Sequence, residues 1–169
     1  YKTWGPHLGL MTVRREVAER LPNQQHFFNE GDLGKHLVPA GPDHAQIAAA
    51  AGVTEYLDAV HGHHWTDKAP ARERGARLNG LFAAHERVLL EPLLQFLQNR
   101  TDVRLLGPKT AHHHAPTVSF LPLRRPVPEV FGSLVRKKIM CGSGNFYGVR
   151  PLRAMDIPDD PGVVRLSFL

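Results

Sequence analysis

With 169 residues, 42% of them hydrophobic, the chain has enough apolar material for a core, and no apolar run reaches the 18 or more residues that a bilayer-crossing helix needs. The formal charge of +5 comes from 21 Lys and Arg scattered among 16 Asp and Glu rather than gathered in a block, so a nucleic-acid partner is not expected and neither is a membrane partner. The single cysteine, Cys141, excludes an internal disulfide and fits a reducing, cytoplasmic setting.

The chain begins with Tyr1-Lys2-Thr3-Trp4-Gly5-Pro6-His7-Leu8-Gly9, which sets one lysine directly before a turn-prone segment. The apolar Leu10-Met11-Thr12-Val13 follows and reads as a strand leaving a tight bend. A lysine amine, with a free pKa of about 10.4, becomes a nucleophile only where burial or a neighbouring positive charge lowers that value. Residues 14–21 predict a short helical turn, and 23–42 an irregular stretch, because Gly31, Gly34, Pro39, Gly41 and Pro42 break any period. A connection of that length either covers a site or varies freely at the surface.

Asp43 opens a helix, with Gln46 three residues on as in a capping box and with Ile47, Ala50, Ala51, Val53, Leu57 and Val60 as its apolar face. His61-Gly62-His63-His64-Trp65 closes it, with Gly62 just past the end. A zinc site needs a fourth ligand at a defined spacing and none is evident, so histidines at a helix C-terminus, where the dipole favours them, are the simpler reading.

A long helix is expected from Arg72 to Asn99 on the spacing of Leu78, Leu81, Phe82, His85, Leu89, Leu93, Phe96 and Leu97, with a kink or restart near Glu91 ahead of Pro92. Strands follow at 103–106 and 116–121, separated by His112-His113-His114, whose side chains would alternate between faces and so cannot all reach one ion. Pro126 and Pro128 begin a further helix with Val130, Phe131, Leu134 and Val135 inward and Arg136-Lys137-Lys138 at its basic end. Ile139-Met140-Cys141 then reads as a strand-like entry to residues 142–152, whose glycines Gly142, Gly144 and Gly148 predict irregular backbone approached closely by something else. The last segment, Gly162-Val163-Val164-Arg165-Leu166-Ser167-Phe168, is a strand with one arginine among apolar residues.

Three of these segments, Lys2 to Gly9, Gly142 to Leu152 and Gly162 to Phe168, resemble in order the class V aminotransferases, and within them the cysteine desulfurase-like proteins. The resemblance implies an α/β chain, the C-terminal part of a fold type I pyridoxal phosphate (PLP) enzyme, with residues 1–71 from the large cofactor-binding domain and 72–169 a small, truncated α/β domain. It implies that Lys2 carries PLP covalently, that Arg165 grips the α-carboxylate of an amino-acid substrate, and that the complete protein is a homodimer. A planar guanidinium suits that grip, because it can hold a carboxylate by two parallel hydrogen bonds.

Two positions depart from the family pattern. Where the family has a Gly-Thr pair reaching the cofactor phosphate this chain has Pro39-Ala40-Gly41-Pro42-Asp43-His44, which leaves His44 as the substitute donor. At the nucleophilic cysteine of true desulfurases stands Tyr147, a substrate-side residue without a thiol, and Cys141 lies six positions earlier. Transamination, racemisation and lyase chemistry without an enzyme thiol therefore remain open. The alternative reading is a non-catalytic scaffold that keeps the fold for dimerisation; a histidine-based metal binder ranks behind both. Tyr1 inside a motif and an end at Leu169 in mid-strand lead us to expect a piece of a longer protein.

Overall fold

The computed structural model describes residues 5–38, 41–112 and 114–167. It divides into two compact units, Tyr1–Leu78 and Asn79–Leu169, so the boundary falls within a helix, a few residues beyond the position where a domain change is expected from the sequence.

In the first unit regular structure is sparse. Leu10 to Val13 forms no strand: Leu10 is 86% and Met11 71% exposed, and among the described residues no strand pairs with the segment. Helix α1, Arg15–Ala18, is the short turn expected, and one 3-10 turn at Phe27–Asn29 interrupts the irregular stretch. Helix α2 spans His44–His64 and begins as its sequence demands, with the Asp43 carboxylate accepting the Gln46 backbone N–H at 3.1 Å and the Gln46 side-chain N–H at 3.1 Å. These bonds hold the Asp43 carboxyl below the usual carboxylate range.

The far end of α2 differs from expectation. Gly62 lies inside the helix and Trp65 caps it, its N–H donating to the His61 carbonyl at 2.8 Å, because His61 is buried and its ring stacks on Trp65 with centroids 4.9 Å apart. Packing of an aromatic pair sets the stop instead of glycine's backbone freedom. Asp58 and Asp67 tie this end to the start of helix α3, Ala71–Gln98, through Arg74 and Arg77 at 2.9 and 2.7 Å.

In the second unit α3 runs unbroken through Pro92. Pro92 and Val88 both lie on the exposed side, where the Val88 carbonyl left without an N–H partner can take water, so no restart is needed. The buried stripe is Leu90, Leu94 and Leu97, whereas Leu89 and Phe96, expected inside, are 40% and 57% exposed. A shift of one position rotates a helix face by about 100°, and it is the sheet beneath that selects which leucines are covered.

That sheet has four antiparallel strands in the order β1-β2-β4-β3: β1 Val103–Leu106, β2 Thr117–Pro122, β3 Gly142–Gly144 and β4 Val163–Ser167. Val118, Phe120 and Val164 of the sheet form one core with Leu90, Leu94 and Leu97 of α3 and Val127 of helix α4, Val127–Arg136. Residues alternating with these face the other way, where Leu106 and Val163 meet Leu152 of helix α5, Val149–Ala154, and Ile157. The chain is thus mixed α/β. Helix α5 is an addition to the sequence reading, which predicts irregular backbone from Gly142 to Leu152, and β3 begins at Gly142, just beyond the expected strand-like Ile139-Met140-Cys141. The glycines there serve a strand edge: Gly162, at φ +68°, would place a Cβ 2.3 Å from the Gly144 carbonyl, so the two chains touch backbone to backbone.

Candidate functional site

Arg165 lies on β4, one of the two inner strands, and its neighbours explain how an arginine fits there. The residues directly across from it are Ser119 on β2 and Gly142 on β3, among the smallest available, and cross-strand partners share a face at about 5 Å. Along that face β4 grades from buried Val163 to half-buried Arg165 to exposed Ser167, so the guanidinium stands where the core opens to solvent.

The guanidinium carbon sits 3.8 Å from the centre of the Phe146 ring. Among the described residues Arg165 has no ion pair and its side chain no hydrogen bond; every acidic group in an ion pair there is matched to another cation. A half-buried cation without a carboxylate of its own is an unusual expense unless an anion arrives from outside. Arg165 opens onto a cavity of about 620 Å³ that Lys138, Cys141, Gly142 and Ser167 also line, together with the apolar Val135, Ile139 and Met140. Among the described residues no acidic side chain lines it. Lys138 adds a second positive charge, held at φ +60° where α4 ends.

The other expected site residues fall as follows. Tyr147 is fully exposed at φ +62°, its backbone N–H donating to Asn145 Oδ1 at 3.0 Å, so its ring points away while its neighbour Phe146 meets the arginine. Phe146 is the residue that sequence reasoning missed; the available signal was an aromatic inside a glycine-dense loop, too common to single out. Cys141 is half-buried, and burial pushes its thiol up, away from the thiolate needed in a nucleophile. Lys2 lies outside the described residues, as do Pro39, Ala40 and His113.

In the first unit His44 is exposed on the first turn of α2 and has no partner among the described residues. Its imidazole can donate to a phosphate oxygen at a helix N-terminus. The Asp43 carboxylate beside it opposes a second anion, so such a contact rests on the histidine N–H. Nearby, a cavity of about 900 Å³ is lined by His7, Leu8 and Gly9 of the lysine segment together with Asp43 and Gln46. Residues 7–9 and the start of α2 therefore share one cleft. In the two histidine runs His61 stacks on Trp65, His63 meets His64 edge to face, and His114 Nδ1 lies 2.6 Å from the Ala115 carbonyl, while Nε2 of His61 and of His114 is buried without a hydrogen-bond partner among the described residues.

The chain is mixed α/β with an antiparallel sheet, and its strand arginine is unpaired among the described residues. No family model matches the chain. It is similar to the aminotransferase-like protein FGM3 of Gibberella zeae, with 25% identity over 175 aligned residues that take in the whole of this chain and 40% of FGM3. The chain thus spans less than half the length of that curated relative. Among the described residues no helix is long and apolar enough to cross a membrane.

Proposed function

We propose that the chain is the C-terminal part of a PLP-dependent enzyme of fold type I, of the class V aminotransferase and cysteine desulfurase-like group, acting on an amino acid in the cytoplasm as a homodimer. The observation that carries the reading is Arg165: a half-buried guanidinium braced by an aromatic ring, with no carboxylate partner among the described residues, facing a cavity whose described lining holds no acidic side chain. It supplies what the α-carboxylate of an amino acid requires, two coplanar N–H donors and a positive charge. Similarity along the whole chain to a protein named aminotransferase-like supports the same reading.

In this assignment Lys2 and His44 hold the cofactor, Lys2 by covalent attachment and His44 by an N–H donated to the phosphate. Bound there, the cofactor supplies an electron-withdrawing ring. Arg165 would hold the substrate carboxylate and so orient the bonds at Cα, and the Lys2 amine would move a proton to or from that carbon. Tyr147, which has no thiol, stands where true desulfurases carry their nucleophilic cysteine, so the reading favours a transamination, racemisation or elimination that uses no enzyme thiol.

The test uses the full-length protein. Incubated with PLP and desalted, it retains a visible absorbance that Lys2→Ala abolishes, and Arg165→Lys weakens amino-acid binding by about ten- to a hundredfold. Wild-type protein that keeps no chromophore at saturating PLP overturns the enzyme reading and leaves a non-catalytic scaffold.

A further inference from the structure

We propose that Phe146, seated by Gly142, is a positioning residue that fixes the Arg165 guanidinium as an edge-on receptor for a single carboxylate. This rests on the reading of Arg165 as the carboxylate ligand and adds the reason why it can bind well.

An arginine side chain has many rotamers, and ordering it on ligand binding costs free energy unless the protein orders it first. Here the ordering is built from three features. Gly142 is the register partner of Arg165, and a Cβ on it would come within 3.0 and 3.1 Å of Phe146 Cε1 and Cζ, so the ring occupies the space that a side chain at position 142 would fill. Phe146 also packs against the core of Leu106, Leu152, Ile157 and Val163, which anchors it from behind. The turn that delivers it is strained: Phe146 at φ +50° and Tyr147 at φ +62° are consecutive left-handed residues, neither a glycine. Asn145 holds the turn by accepting the Tyr147 N–H at its side chain and the Gly148 N–H at its carbonyl, 3.0 and 2.7 Å.

Two strained residues in a row send one aromatic outward and the other under the arginine. With its carbon 3.8 Å from the ring centre, the guanidinium has one face covered. Water and ligands are excluded from that side, and the N–H donors in the guanidinium plane remain for a partner in the same plane. A carboxylate has that shape, and the stacking fixes its direction of approach.

The experiment is performed on full-length protein with selectively labelled arginine, following the Arg165 Nε–Hε resonance, assigned by its loss in Arg165→Lys. In the wild type the ring shifts this resonance upfield. Phe146→Leu, which keeps an apolar side chain but removes the π face, returns it downfield and weakens L-alanine binding, read from the same resonance, by about tenfold. Phe146→Tyr, which keeps the face, stays within about threefold of wild type. An unshifted resonance in the wild type, or a Phe146→Leu protein with unchanged resonance and unchanged L-alanine affinity, overturns the inference. Failure of L-alanine to bind the wild type overturns the assignment of Arg165 itself, and is distinguishable because the ring shift is still observed.

Discussion

At the scale of single residues, the second unit is governed by where side chains are absent. Gly162 and Gly107 both have positive φ, +68° and +96°, but only Gly162 has backbone pressed against the place a Cβ would occupy. Gly107→Ala meets open space and pays conformational strain alone, about 1–2 kcal/mol. Gly162→Ala must also push β3 away from β4 and is expected to cost more than about 3 kcal/mol. Equilibrium denaturation of the two variants checks the order; equal midpoints would show that the β3–β4 contact yields easily. Arg165 illustrates the complementary effect, since Ser119 and Gly142 across the sheet make room for it. The sequence marks Arg165 by contrast, as one charge in an apolar strand. It does not mark Phe146, because which aromatic of Phe146-Tyr147 turns inward is decided by backbone torsions that no local pattern specifies.

At the scale of elements, boundaries set by local chemistry were legible and faces set by packing were less so. Asp43 caps α2 through Gln46, and the strands of the second unit fall close to their expected places, since capping and β-branched runs act over a few residues. The inward face of α3 was read correctly at Leu93 and Leu97 but missed Leu90 and Leu94 in favour of Leu89 and Phe96, because leucines occur on several sides of the helix. The structure makes a sharp prediction here. Leu90→Ala, at a site with no exposure, is expected to destabilise the protein by about 2–5 kcal/mol, and Leu89→Ala, 40% exposed, by less than about 1 kcal/mol. The reverse order in thermal denaturation would restore the face read from spacing.

At the scale of the whole molecule, the chain covers all of its own length but 40% of FGM3's, so the proposed enzyme is a property of the full-length protein. Leu10, Met11, Phe27 and Phe28 are all largely exposed in the first unit, a feature common where a surface meets another chain or another part of its own. The proposed function calls for a homodimer, and sedimentation of the full-length protein is expected to give twice the chain mass; a monomer at all concentrations would remove that partner.

The sequence by itself determined strands β1, β2 and β4, the cap of α2 and the place of one arginine in an apolar strand, because each is written in the types and spacing of neighbouring residues. Only the tertiary structure decided that β4 is an inner strand, that Arg165 has no carboxylate within hydrogen-bonding reach among the described residues, and that Phe146 rather than Tyr147 lies beneath it. Those facts join residues 19 or more positions apart, and contact across such distances depends on which backbones can approach each other, here on the glycines that let β3 and β4 close.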